Sequence, residues 1–290
     1  MNLRRDVART LRDAGVPSPD ADADALIALV TGRRSFDPSL SHEQRSRLDE
    51  LVAARCRRVP LQHLTGTAGF RYLDVQVGPG VFVPRPETEV LVDVALREPF
   101  DSAVDLCTGS AAIALSLATE TTAAVVAVEV DPGALDWARR NAAGRVEVVH
   151  ADVCADDLSH LGPVDLVVSN PPYIPDDMVP RDPEVALHDP PLALYGGADG
   201  LDVVRCVITQ ARRLLRPGGR LLLEHGEHQA AQIRSLLVGF DEVATWQDLT
   251  GRDRITGKAG RRAESGWEAV HEAPVWREAG RHSSLPGDRY

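Results

Sequence analysis

The stretch AVDLCTGSAAIALSLATETTAAVVAVE, residues 103–129, decides the fold. Its first five residues are a short apolar run, read as a buried strand. Ala111 to Thr119 keeps apolar residues at helical spacing, and AAVVAVE (123–129) is a second apolar strand. The alternation continues with a helix from Gly133 to Ala143 and strands in VEVVHAD (146–152) and VDLVVSN (164–170). A helix around Val203 to Leu215 and a strand in GRLLLEHG (219–226) follow. Strands separated by helices predict an α/β fold with a parallel sheet covered on both faces. Right-handed crossovers then set the C-terminal strand ends along one edge, where ligands bind at a topological switch point.

Upstream, residues 1–60 read as three short helices. Leu3, Val7 and Leu11 share a face, as do Leu26, Leu29 and Val30. Ser18-Pro19 looks like a helix start, and a third helix runs from about Ser41 to Arg58 with Leu48, Leu51 and Val52 inside. Such a bundle is either a packing domain or a docking domain. AGFRYLDVQVGPGVFVP (68–84) predicts a β-hairpin turning at Gly78-Pro79-Gly80. The partition is therefore a helical bundle over 1–67, a hairpin linker over 68–84 and the α/β domain over 85–260. The tail 261–290 loses periodicity and is expected to be disordered.

Composition narrows the function. The chain has 290 residues and a net charge of −11. Residues 1–75 carry 12 basic and 10 acidic residues, and the rest carries 20 against 33. That acidic bias argues against a surface built to neutralise nucleic-acid phosphates. No run of eighteen apolar residues and no signal-peptide pattern is present. Cys56, Cys107, Cys154 and Cys206 are widely spaced without a CxxC pair, which argues against a zinc site or disulfide framework and fits a reducing cytosol.

The turn after the first strand, Asp105-Leu-Cys-Thr-Gly-Ser-Ala111, lets backbone approach a ligand, with Gly109 supplying the freedom. Cys107, Thr108, Gly109, Ser110 and Ala111 are the candidate cofactor loop. Glu129 ends the second strand, 24 residues past Asp105, where an acid suits ribose hydroxyls. Asp152, with Val153 after it, ends the third, where an acid either meets an adenine amine or caps the next turn. Three such strand ends in succession describe a nucleoside pocket.

The fourth strand ends in Ser169-Asn170-Pro171-Pro172-Tyr173. Two prolines stiffen the corner and remove two N–H donors, so it offers carbonyl acceptors. Asn170 adds a side-chain carbonyl and Tyr173 an aromatic face. This is a receptor for an NH2 group on a flat π system. Such a nitrogen is a poor nucleophile. Accepting both its protons raises its electron density and aims it at a methyl sulfonium. Asn170, Pro171 and Tyr173 are the candidate catalytic residues.

These motifs, with Pro60-Leu-Gln-His-Leu-Thr-Gly66, Phe82-Val-Pro-Arg-Pro-Glu-Thr-Glu89, Pro191-Leu-Ala-Leu194, Gly196-Gly-Ala-Asp-Gly-Leu-Asp202 and Glu224-His-Gly226, resemble the HemK/PrmC family. These are the glutamine methyltransferases of peptide-chain release factors. The resemblance covers about residues 60–258. It implies a Rossmann-like, class I S-adenosylmethionine-dependent methyltransferase with a seven-stranded, mostly parallel sheet. It also implies an N-terminal helical domain that helps engage the release factor.

By the same resemblance, S-adenosylmethionine lies along 107–111 and meets Asn170, with Glu129 on ribose and Asp152 and Val153 near adenine. Asn170, Pro171, Pro172, Tyr173 and Arg85 hold the substrate amide, and Arg85, Glu87 and Thr88 close the pocket. The chain departs from the family's usual Gly-Thr-Gly-Thr-Gly loop at Cys107 and Ala111, and altered cofactor affinity is the expectation. A cytoplasmic monomer acting on a protein rather than on nucleic acid follows. The alternatives left open are a nucleobase exocyclic-amine methyltransferase and a degenerate, non-catalytic binding module.

Overall fold

The computed structural model describes residues 2–32 and 39–258. The expected disordered tail, 261–290, lies outside the described residues. The chain opens with α1 (Leu3–Asp13), α2 (Pro19–Thr31) and α3 (His42–Cys56). The Asn2 side chain accepts from the Arg5 N–H at the start of α1, and Ser41 and Gln44 form a capping box on α3. Leu3, Val7, Leu11, Leu26, Leu48 and Leu51 pack together inside this bundle. One expectation changes: Leu29 is exposed, and Ala23, Leu26 and Ile27 form the buried face of α2.

A short α4 (Leu61–Thr65) leads into the antiparallel pair β1 (Thr67–Phe70) and β2 (Leu73–Gln76). The hairpin turns at Arg71-Tyr72, not at Gly78-Pro79-Gly80. The turn is fixed from outside: the Arg71 guanidinium donates to both Glu120 carboxylate oxygens and to Asp93, and the Arg71 N–H donates to Glu89. Gly78 serves packing instead. A Cβ there would lie 2.6 Å from the Trp137 ring.

A 3-10 turn over Pro86–Thr88 runs into α5 (Glu89–Ala95). Then come β3 (Ser102–Leu106), α6 (Ala112–Glu120), β4 (Ala124–Glu129), α7 (Pro132–Ala142), β5 (Glu147–His150), β6 (Val164–Ser169), α8 (Pro183–His188), α9 (Asp202–Leu214), β7 (Leu215–Glu224), α10 (Ala230–Leu236), β8 (Val243–Gln247) and β9 (Asp253–Lys258). The larger sheet runs β5-β4-β3-β6-β7-β9-β8. Its first five strands are parallel, and β9 pairs antiparallel with both β7 and β8.

Side-chain alternation divides the sheet's core into two layers. Ala103, Leu166, Val168 and Leu222 pack with the α5, α6 and α7 side. Val104, Val167, Leu221 and Leu223 pack with α9 and α10. The switch point lies between β3 and β6, where the chain leaves β3 for β4 on one side and returns to β6 on the other. Leu106 pairs with Ser169 there, so Cys107 and Asn170 follow neighbouring positions.

The cysteine expectation is corrected. Cys154 and Cys206, 52 residues apart in sequence, form a disulfide with Cα atoms 5.0 Å apart. Linear spacing conceals it because α9 lies against the loop after β5. Gln210, one turn past Cys206, donates to the carbonyls of Val153 and Asp156 at 3.0 and 2.8 Å. Cys56 and Cys107 are free thiols. Among the described residues no helix is long and apolar enough to cross a membrane, and no group of side chains could hold a metal ion.

Candidate active site

The cofactor-type loop is built on a buried acid. Asp105 is fully buried; its Oδ2 accepts from the Thr108 hydroxyl at 2.5 Å and from the Ala114 N–H at 3.2 Å. Burial pushes its pKa up to about 7 against the pull of those two bonds. One carboxylate thus ties the loop to the first turn of α6. The loop also needs left-handed backbone at Cys107 (φ 61°), Gly109 (58°) and Ala111 (65°). Two of these are non-glycine residues, held there by the surrounding bonds.

Glu129 faces this loop from the end of β4. Its Oε2 accepts from the Gly109 N–H at 2.8 Å, and its Oε1 from the N–H groups of Val130 and Asp131 at 2.9 Å each. Burial raises its pKa, and those three bonds oppose the rise. Oε1 is thereby filled, and Oε2 retains a lone pair for a ligand hydroxyl. Beyond β5, Asp152 accepts from the Cys154 N–H at 2.7 Å and so caps its own turn, while Val153 is buried beside it.

The corner after β6 is locked from beneath. The Tyr173 carbonyl accepts from Gln229 at 2.9 Å, and the Ile174 N–H donates to the Leu194 carbonyl. A Cβ on Gly196 would meet the Pro172 carbonyl oxygen at 2.5 Å, so the backbone passes where only glycine fits. Asn170 Nδ2 donates to Thr88 Oγ1 at 3.3 Å. Burial, then the nearby Glu224 carboxylate, raises the Tyr173 hydroxyl pKa.

Arg85 lies over the Phe82 ring, 5.0 Å from its centroid, and its Nη2 is 2.7 Å from Asp189 Oδ2. Burial pushes the Asp189 pKa up to about 6 although Arg85 favours its charge. Glu224 ends β7, is 2% exposed, and has its pKa pushed up to about 7 by burial.

These parts line one cavity of about 1010 Å³. Cys107, Thr108, Gly109, Ser110, Glu129, Asp152 and Val153 line it from the ends of β3, β4 and β5; Asn170, Pro172, Tyr173, Arg85, Glu87, Thr88 and Glu224 line it from the other side. Asn170 and the sheet edge beside Gly109 and Glu129 therefore share one space. Two of the expected residues do not line the cavity. Ala111 is wholly buried and packs into the core beneath α6, and Pro171 is buried.

Sequence reading missed Gln229 and Arg254, which reach the cavity from elements outside the strand-end motifs, and the buried Asp189 that pairs with Arg85 at its edge. It also missed a rim of exposed apolar side chains, Met178, Val179 and Leu192. Their signal was available as an apolar pair set in an otherwise acidic, proline-rich stretch.

Residues 2–66 match the family described as the PrmC N-terminal domain, and residues 73–182 match the methyltransferase small domain. The chain is 49% identical to the release factor glutamine methyltransferase of Mycolicibacterium smegmatis, over 85% of this chain and 92% of that one. It is 47% identical to the protein of the same name from Streptomyces coelicolor, over 84% and 92%. Two solved structures share the fold. One is a methyltransferase from Pyrococcus furiosus (TM-score 0.50, 22% identity, covering 75% of this chain and 97% of that one). The other is the hMettl16 catalytic domain in complex with an RNA hairpin (0.53, 16%, covering 74% and 84%).

Proposed function

This chain belongs to the release factor glutamine methyltransferase family, and on that premise we propose its reaction and the residues that serve it. It transfers a methyl group from S-adenosylmethionine to the side-chain amide nitrogen of the glutamine in the Gly-Gly-Gln motif of a peptide-chain release factor. The observation that carries this reading is the shared cavity, with an NH2-accepting corner on one side and a nucleoside-type edge on the other.

The residues present fit the cofactor. The Glu129 carboxylate is held in place by three backbone N–H groups and keeps an Oε2 lone pair for a ribose hydroxyl. Val153 offers an apolar wall and Asp152 an acceptor for the adenine. Bound there, S-adenosylmethionine would supply an electrophilic methyl carbon on a sulfonium, the sulfur keeping the bonding pair and the amide nitrogen losing a proton to water.

Asn170 Oδ1 accepts an amide proton and points the nitrogen's remaining density at the donor. The two prolines that follow stiffen this acceptor before the substrate arrives, so little reorganisation accompanies the developing charge. Tyr173 and Pro172 pack the flat amide, and Arg85 closes the mouth. The N-terminal bundle docks the release factor. Arg55 binds Asp22 within the bundle and Glu184 on α8 at 2.6 and 2.7 Å, so the bundle grips a segment that reaches the cavity. The protein works as a cytoplasmic monomer and takes no nucleic-acid substrate.

The test offers the chain a release factor and a nucleic-acid pool with labelled S-adenosylmethionine, followed by peptide mass spectrometry. One methyl on the glutamine of the Gly-Gly-Gln peptide is the expected result. Label in nucleic acid without label in the release factor overturns the reading.

A further inference from the structure

An asparagine amide has two ends of opposite character, and the proposed reaction needs the oxygen end turned to the substrate. Asn170 Nδ2 donates to Thr88 Oγ1 at 3.3 Å. A threonine hydroxyl has one proton and two lone pairs, so it could equally donate to Asn170 Oδ1 with the amide reversed. Something must commit that proton elsewhere.

Glu224 is placed to do so. It ends β7, lies 2% exposed in the cavity wall, and has Thr88 and Asn170 as hydrogen-bonding neighbours. Its Oε2 is buried without a partner, an acceptor in want of a donor. Above about pH 7 the Glu224 carboxylate is ionised and only accepts. Beside it, the Thr88 proton is drawn to the carboxylate, which leaves Thr88 lone pairs to receive Nδ2. The amide's nitrogen end then faces Thr88 and Glu224, and its oxygen end faces the cavity.

We propose that Glu224, acting through Thr88, is the positioning residue that fixes the direction of the Asn170 amide. This rests on the role assigned to Asn170 above. An ionised acid buried without a bound cation costs stability, and a role in setting the polarity of the amide receptor accounts for its place there. With glutamine at 224 the side chain both donates and accepts, the Thr88 proton is released, and both directions of the Asn170 amide become available.

The experiment measures steady-state methylation of an intact release factor by the unaltered chain, Glu224→Gln, Thr88→Val, Thr88→Ser, Asn170→Ala and the double variant Glu224→Gln/Asn170→Ala. Cofactor affinity and melting temperature are recorded for each. Glu224→Gln and Thr88→Val should lower kcat about 10- to 100-fold, the usual reach of an orienting partner. Cofactor KM should stay within about 3-fold and the melting temperature should not fall. Thr88→Ser, which keeps the hydroxyl, should restore most of the turnover lost in Thr88→Val. The double variant should be no slower than Asn170→Ala, because both changes act through one side chain.

Active enzyme in which Glu224→Gln keeps kcat within about 3-fold overturns this inference and leaves the proposed reaction standing. So does a serine variant as impaired as the valine one. No methylation by the unaltered chain overturns the reaction and this inference with it. Additive losses in the double variant assign Glu224 a separate role and also overturn the proposal.

Discussion

At residue 111 the backbone turns left-handed with an alanine in place of glycine, and its side chain is wholly buried. Left-handed backbone costs an alanine roughly 1–2 kcal/mol, whereas removing a buried methyl costs about 0.8 kcal/mol. The two nearly cancel, so Ala111→Gly should change stability by less than about 1 kcal/mol. Because this methyl points into the core, calorimetry should find S-adenosylmethionine affinity within about 3-fold of the unaltered chain. A large gain in affinity would show that the methyl does crowd the cofactor.

Glu224 gives a second prediction at this scale. Its folded pKa of about 7 stands above the ordinary 4.5, because burial outweighs Thr88, Arg254 and Asn170, while Glu87 adds to the rise. Tyr173 faces it as well. A raised pKa means that Glu224 favours the fold fully below about pH 4 and loses that contribution as the pH climbs through about 7. Glu224→Gln should therefore melt increasingly above the unaltered chain as pH rises from about 4.5 to about 7, with the gap level beyond that and closed near pH 4. Thermal denaturation across this range measures it, and a gap that shrinks with rising pH contradicts it. The placement of Asn170 and Glu129 beside one cavity could be read from sequence, because both stand at strand ends. The contacts of Asp189 and Arg254 could not, since their neighbours come from distant segments.

Among elements, the hairpin shows where local signals stop. Gly78-Pro79-Gly80 has the composition of a turn, but the turn falls at Arg71, whose partners Glu89, Asp93 and Glu120 lie on α5 and α6. Ion pairs over such separations leave no trace in a window of ten residues. Gly78 instead makes room for Trp137, whose indole N–H donates to the Pro79 carbonyl at 3.3 Å. Gly78→Ala should cost about 1–3 kcal/mol by overpacking, seen as a lower denaturation midpoint, whereas an unchanged midpoint would contradict this account of the contact. The parallel strands were legible because both faces are covered and their sequences run apolar. Strands β8 and β9 were not, since most of their residues are only partly buried and their pairing is antiparallel.

Over the whole molecule, the helical bundle and the α/β sheet meet through a buried ion cluster. Arg55 and Arg58 both reach Glu184, and Arg55 also holds Asp22. Arg55→Ala leaves the buried Asp22 without its cation and Glu184 with Arg58 alone, and should cost about 3–5 kcal/mol in denaturant unfolding; a loss under about 1 kcal/mol would contradict the coupling. The order strand, helix, strand made the sheet readable, but the meeting of bundle and α8 joins residues about 130 positions apart and appears only on folding. What unites the molecule is that β3 and β6 are neighbours, so the loop after one and the corner after the other open into one cavity. The most direct test is single-turnover transfer from methyl-labelled S-adenosylmethionine to an intact release factor, comparing the unaltered chain with Asn170→Ala. The account predicts label on the Gly-Gly-Gln glutamine with the unaltered chain, a loss of about 100-fold or more in rate for the variant, and only modest change in cofactor affinity. Transfer by Asn170→Ala at a rate near that of the unaltered chain would contradict it.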